Sequence, residues 1–536
     1  MRRWNGWGDE AIEFALNEDA LGFLATRIGN GNPVADASFE QACAQLGASR
    51  LPPHRLIDTS PATRLRNALG QSLPDWLKLR YGRIGPAPDG VAFPESGQEV
   101  RELINYARLY GVALIAHGGG TSVAGHLTVL DPFRLTLAVN TTRLCRLIHL
   151  DQQSQLATFG AGVLGPDLEA ALRAHGFMLG HYPQSFEYST LGGWIVTRSS
   201  GQQSLRYGRI EQTFAGGVVE TPQGTLEVQA FPASAAGTDL RELVLGSEGR
   251  LGILTEATVR VSKVPEYEAF HAVFFPNWQQ AEAAARELAQ GRMGLSMLRL
   301  SNAVETVTML ALAGHKRLIG ALETWLSLRG CRDGKCMLMI GVSGGKAQAK
   351  TAMRAALGLC REHKGVHIGR MMGDKWKQNR FRNVYLRNAA WQYGYAIDTV
   401  ETAVDWSRVE SMMHAVESAA ETALAAHQEK VHVYTHLSHL YAQGASVYTT
   451  FVYRLSGNYE DDLVRWKALK HAVSSAIVDN GGTISHQHGV GSDHAPYLEA
   501  EKGAAGIAAM QAVFRHFDPE GLLNPGKLVP PQGLAA

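Results

Sequence analysis

The run His117-Gly118-Gly119-Gly120-Thr121-Ser122-Val123-Ala124-Gly125 constrains the fold of this 536-residue chain more than any other stretch. It follows a helix-like segment at 99–110 and a short apolar strand at 112–116. Glycine accepts positive φ and close approach of the chain, so several backbone N–H groups can converge on phosphate oxygens, with the hydroxyls of Thr121 and Ser122 as further donors. Three adjacent glycines also make an ordinary turn, and the loop alone does not choose.

A chain this long exceeds one core, so two or three domains are expected. A net charge of +1 gives no basis for nucleic-acid binding or for attraction to an anionic membrane. Five scattered cysteines cannot form a disulfide framework and point to a reducing compartment; Cys331 and Cys336 lack a second pair and read as ordinary thiols. No stretch approaches the ~18 apolar residues of a spanning helix, and the N-terminus lacks an apolar export core. A cytoplasmic location is expected, with Trp4 and Trp7 packing on the body or touching a membrane surface from outside.

Along the chain, residues 1–87 read as helical segments broken by prolines, with 65–79 the best amphipathic helix, and form an appendage on the next domain. Residues 88–265 alternate short apolar runs (135–139, 156–159, 218–220, 226–228, 252–261) with few helices, which suggests an α+β nucleotide-binding domain and not a doubly wound one. Residues 266–510 alternate β runs (269–275, 337–341, 447–453) with Ala-rich helices (278–290, 346–363, 406–427, 460–480), as a second α+β domain covering the first. The tail, 511–536, is dense in turn formers and is expected to dock back.

Two more segments suit the ligand that the glycine loop suggests. In 183–201, Gln184, Ser185, Phe186, Glu187, Tyr188, Ser189, Thr190, Thr197, Arg198, Ser199 and Ser200 are mostly small or hydroxylated, fitting a flat ring and its phosphate tether. In 246–257, Glu248, Gly249, Arg250, Leu251, Gly252, Ile253 and Leu254 make a glycine-punctuated turn into a strand whose backbone could read a heteroaromatic edge. Each alone is compatible with a structural turn. Their order and spacing together are specific.

With Trp4-Asn5-Gly6-Trp7-Gly8-Asp9, these segments resemble the vanillyl-alcohol-oxidase/p-cresol-methylhydroxylase flavoprotein superfamily, and more closely the alkylglycerone-phosphate synthase (alkyl-dihydroxyacetonephosphate synthase) family, over nearly the whole chain. The resemblance implies an α+β fold: a PCMH-type FAD-binding domain plus an α+β substrate (cap) domain. It implies FAD, bound without a covalent link, with Ala116, His117, Gly118, Gly119, Gly120, Thr121 and Ser122 at the diphosphate and the residues just named around the remainder. Gln184 stands where the family has an acid, and Arg250 where it has Thr. His117 and His126 border the loop, but this family is not known for a histidyl tether.

Two histidine-bearing segments, 432–448 and 485–491, admit a metal reading through His436, His439, His486 and His488. The related D-2-hydroxy-acid dehydrogenases hold a metal here, yet two of the three ligand positions are Tyr448 and Gln487 in this chain, so no metal is expected. The resemblance makes Tyr448 the acid/base and His486, Gln487 and His488 the histidine cluster, with Gln487 a departure. A phenol of pKa ~10 works near neutrality only if its phenolate is stabilised, a task expected of the imidazoles. Arg387 and Arg299 match substrate-binding arginines, whose forks suit phosphate or carboxylate. Asn388 replaces the family's Asp after Arg387, which is expected to alter the bound headgroup.

The implied activity is FAD-dependent oxidation of a C–H beside oxygen in a small phosphorylated polyol or 2-hydroxy acid, by transfer to flavin N5. Gln487, Asn388 and the tail 521–527 favour this over acyl-for-alkoxy exchange in ether lipid synthesis, and a catalytically inactive binding module is the third alternative. Partners are then a small-molecule substrate, phosphorylated or lipid-linked, and an electron acceptor that the sequence does not identify. Relatives imply a homodimer.

Overall fold

In the computed structural model, which describes residues 1–314 and 316–529, the chain builds three principal sheets. Residues 530–536 of the expected tail lie outside the described residues. The first sheet runs Ile57–Asp58, Gly90–Ala92, Thr136–Asn140, Ala113–His117. Its last three strands are parallel, so a crossover is required, and the helix Gly97–Tyr110 supplies it between Ser96 as N-cap and Gly111 as left-handed C-cap. Val100, Leu103, Ile104 and Ala107 fall on one face of that helix and pack against Leu114, Leu137 and Val139. The tail closes the edge of this sheet: Leu114 N donates to Leu522 O and Asn524 N to Leu114 O, both at 2.8 Å. The second sheet is antiparallel, in the order Leu147–Asp151, Leu156–Gly160, Ile253–Arg260, Phe214–Thr221, Gly224–Val228.

The third sheet carries seven antiparallel strands in the order Val366–His367, Tyr267–Phe275, Cys336–Gly344, Leu295–Ser301, Val431–Leu440, Gly444–Arg454, Tyr395–Asp405. The helices Trp278–Gln290, Lys346–Glu362 and Val409–Ala425 pack on it. Strand periodicity sends Tyr448 to the face opposite Val447 and Thr449, and that face looks toward residues 183–202 of the flavin-type domain. Among the described residues no helix is long and apolar enough to cross a membrane.

The expected helix over 65–79 is two helices, Pro61–Arg66 and Leu73–Arg80. The break has a physical cause: Gln71 N donates to Ser122 O at 2.6 Å, and a Cβ on Gly70 would press on that same carbonyl. The chain leaves the helix to buttress the glycine loop. Pro74 then sits in the first turn of the next helix, where its missing N–H costs nothing.

The N-terminal region also does more than decorate one domain. The helix Glu18–Ile28 buries Ala20, Leu24 and Ile28 against Tyr395, Tyr434 and Val452 of the seven-stranded sheet. Asn388, expected to tune a substrate headgroup, is instead buried against the chain's first residues. Its amide accepts from Trp7 N at 3.1 Å, donates to Trp7 O at 2.8 Å and accepts from Arg80 at 3.3 Å. A carboxylate could not donate to Trp7 O, which accounts for an amide here. Asn388→Ala strands both Trp7 groups, and a loss of about 2–4 kcal/mol is expected in denaturant unfolding, with flavin chemistry unaltered in the protein that remains folded.

Candidate functional site

The glycine loop lies flat against 188–190. A Cβ on Gly119 would overlap the carbonyl oxygen of Tyr188, one on Gly118 would overlap the Thr190 hydroxyl, and Gly120 has φ +64. Thr190 Oγ1 caps the helix Leu191–Val196, and Trp194 Nε1 donates to Ser189 Oγ at 2.7 Å, fixing the second segment against the first. His117 Nδ1 is 2.9 Å from Gly118 O, and its Nε2 is buried without a partner; burial lowers its pKa to about 4. Arg2, which carries no local motif, donates to Gly119 O and stands 5.4 Å over the Tyr188 ring. A glycine turn held tightly against 188–190, with the hydroxyls of Thr121 and Ser122 in it and the Arg2 guanidinium beside it, fits the diphosphate of FAD.

The third segment contributes differently from expectation. Glu248 and Gly249 both adopt positive φ, and the Glu248 carboxylate accepts from Val490 N at 2.5 Å and Gly491 N at 2.8 Å while His126 lies 3.1 Å away. Its side chain therefore fastens the second domain to the first. The Arg250 guanidinium turns to Leu523 O at 2.5 Å, and that of Arg198 to Glu242 and Leu245 O. At these three positions only the backbone remains for a flavin. Phe186 stacks on Phe381, while Gln184 and Ser200 line the central cavity.

Across that cavity, sheet register aligns Glu401, Tyr448, His436 and Ser301 in one row. Glu401 is the functional residue that sequence reading missed. A register shift between Leu437 and Leu440 lets both Ser438 and His439 reach it. Ser438 Oγ donates to Oε1 at 2.5 Å, Gln487 Nε2 to Oε2 at 2.5 Å, and the Nδ1 atoms of His486 and His439 lie at 3.2 and 3.4 Å. Burial opposes its charge, but His486 and His439 hold its pKa well below the carboxylate norm. Arg209 Nη1 donates to His486 Nε2 at 2.8 Å, so the neutral ring carries its proton on Nδ1, facing Glu401; burial brings its pKa down to about 4. Gln487 is thus a ligand of Glu401, and His488 meets the Tyr448 ring edge-on at 5.8 Å.

The phenol corrects one expectation. Burial raises the pKa of Tyr448, and the neighbouring imidazoles, themselves lowered by burial, supply no cation. Tyr448 is a neutral hydroxyl at the cavity wall, stacked on His436 at 4.7 Å. His436 in turn has Nδ1 2.9 Å from Glu305, whose other partner is Arg299 at 2.7 Å. Burial works against the Glu305 charge, yet Arg299 and His436 bring its pKa to about 2.

Both predicted arginines are therefore committed within the protein. Arg299 pairs with Glu305, and Arg387 donates to Gln71 O at 2.7 Å while stacking 4.4 Å over Trp76, although one of its nitrogens stays buried and unpartnered. The cavity has a mixed wall, in which Gln184, Ser200, Gln202, Arg299, Arg380 and Asn383 stand beside the histidines and Tyr448.

Comparison with known proteins agrees with this architecture. The family described as FAD binding domain matches residues 88–228, and FAD linked oxidases, C-terminal domain, matches 264–528. Alkyldihydroxyacetonephosphate synthase of Dictyostelium discoideum is 29% identical over 533 residues, covering 98% of this chain and 85% of that protein. The mitochondrial D-lactate dehydrogenase [cytochrome] of Arabidopsis thaliana is 26% identical over 83% of this chain and 74% of its own length. A solved structure of alkyldihydroxyacetonephosphate synthase superposes with a TM-score of 0.83 over 98% of both chains at 24% identity, a likeness of fold. Gly119→Ala is expected to push the loop off residues 188–190, lowering both the thermal stability of the protein and its flavin content, read as the melting temperature and the ratio of flavin to protein absorbance.

Proposed function

Since this chain is an FAD-dependent flavoenzyme like alkyldihydroxyacetonephosphate synthase, with an FAD-binding and an FAD-linked oxidase domain, we propose that it oxidises the hydroxyl-bearing carbon of a small anionic substrate. The observation that carries this reading is the stack of Glu305, His436 and Tyr448 on the cavity wall. FAD, when bound, supplies the two-electron oxidant. His436, neutral and backed by Glu305 at Nδ1, offers Nε2 to the substrate hydroxyl and takes its proton. Tyr448 donates a hydrogen bond to the same oxygen. Glu401 orients His486 and holds Gln487 beneath them, positioning the wall without titrating.

Glu401, His439 and His486 offer three ligand atoms within 4.8 Å of one another, close enough for a metal. A ligating imidazole keeps its proton on the other nitrogen, but the other nitrogen of His486 already accepts from Arg209. The set suits proton positioning better. Dialysis against EDTA is expected to leave turnover unchanged, and activity lost to EDTA and restored by one divalent cation would reverse this assignment.

The second reading is the exchange of an acyl group for a fatty alcohol, and the likeness to alkyldihydroxyacetonephosphate synthase over 98% of the chain favours it. Anaerobic mixing separates the two. Bleaching of flavin absorbance by a D-2-hydroxy acid or glycerol 3-phosphate supports oxidation, whereas fatty-acid release from acyl-dihydroxyacetone phosphate without bleaching supports exchange.

Burial lowers the His436 pKa from 6.5, and a base must be unprotonated to act. Turnover is therefore expected to be flat near neutrality and to fall with pH through a midpoint below 6.5. His436→Gln should remove that acid limb and cost about 100-fold or more in kcat. Tyr448→Phe should slow turnover by about 100-fold with FAD retained, and near-normal rates would take Tyr448 out of the reaction.

A further inference from the structure

Of the two expected anion binders, Arg299 in the cavity wall is neutralised by Glu305 and Arg387 does not line the cavity, yet another guanidinium faces this space without an ion pair among the described residues. Arg380 follows the helix Met371–Asn379 and lines the cavity beside Trp376 and Asn383. Among the described residues it makes no ion pair, and its Nη1 is buried without a hydrogen-bond partner. The carboxylates nearest to it in effect are engaged elsewhere. Glu169 accepts from Leu179 N and Gly180 N, and Glu268 pairs with Lys377 at 2.6 Å.

Aromatic rings hold the group in place. Its carbon lies 4.4 Å from the Tyr182 ring centre, 4.8 Å from Phe381 and 5.9 Å from Trp376. Stacking satisfies the faces of a guanidinium and leaves its N–H edge, which is the part that grips a planar or tetrahedral oxyanion in two parallel hydrogen bonds. Arg380 is half-buried, and its Nη1, buried with no acceptor, is costly to leave so unless a ligand completes it. Asn383, Gln202 and Gln184 line the same cavity and add neutral donors.

We propose that Arg380 is the anion-recognising residue of the substrate cavity, taking the carboxylate or phosphate end of the substrate while His436 and Tyr448 address its hydroxyl. The inference deepens the oxidoreductase reading and rests on it for the word substrate, but the anion site can be tested without turnover. Isothermal titration of the FAD-loaded protein with inorganic phosphate and, separately, with oxalate should show binding of at least one anion, and the tighter of the two identifies the headgroup class. Arg380→Met should weaken that binding by roughly 10- to 100-fold with flavin content unchanged. Arg380→Lys keeps the charge but not the fork, and should lose roughly 10-fold; it also decides the matter if the methionine variant does not fold. Absence of binding by either anion, or equal affinity in wild type and both variants, overturns the proposal. Arg380-dependent binding with no substrate that bleaches the flavin would leave the anion site standing and remove only the oxidation.

Discussion

Burying the carboxylate of Glu401 is the constraint around which the second domain is arranged. A charge this deep survives only if donors surround it, and the chain supplies them from three separated places: Ser438 and His439 on one strand, His486 and Gln487 on the loop after the helix Tyr459–Asp479, and Arg209 acting through His486. Each donor has a structural cost. The strand must change register to turn both Ser438 and His439 inward, and the loop at 486–488 must come close enough to touch the sheet. The result is a wall in which Tyr448 and the neighbouring imidazoles have little freedom to rotate or to exchange protons with solvent.

That wall is useful only if it stays opposite the flavin-type domain, and polar contacts hold the two together. Glu248 collects the backbone N–H groups of Val490 and Gly491, two residues beyond His488, so the turn that bears the histidine cluster is tied to the turn that enters the strand Ile253–Arg260. Asn388 does the same for the first residues of the chain. These are directional bonds between groups that would otherwise be buried unsatisfied, so they set register between the domains as well as adhesion.

Much of this was legible in the sequence, and the gaps have physical reasons. The glycine loop, its neighbouring helix and strand, and the long Ala-rich helices announce themselves through local chemistry: φ requirements, caps and a 3.6-residue period. The strands Leu295–Ser301 and Tyr395–Asp405 went unread because they are mixed polar and apolar, with polar side chains such as Ser296, Glu401 and Thr402 buried inside the protein. Glu401 gave no signal for the same reason, since an isolated glutamate on a strand looks solvent-exposed until its partners are known. The helix boundary at 67–72 could not be read because a tertiary bond from Gln71 to Ser122 sets it. A guanidinium's partner is a matter of three-dimensional neighbours: Arg299 lines the cavity but pairs with Glu305, and Arg387 lies outside the cavity lining on Gln71 O.

The strand Ala113–His117 leads directly into the phosphate loop, and its outer edge is completed by Leu522–Asn524, while Arg2 reaches the same loop from the other end of the numbering. During synthesis, then, a ribosome that has made the whole flavin-type domain has not yet made the segment that finishes it. A polypeptide cut short before residue 524 carries every glycine of the clasp with one side of its supporting sheet still open to water.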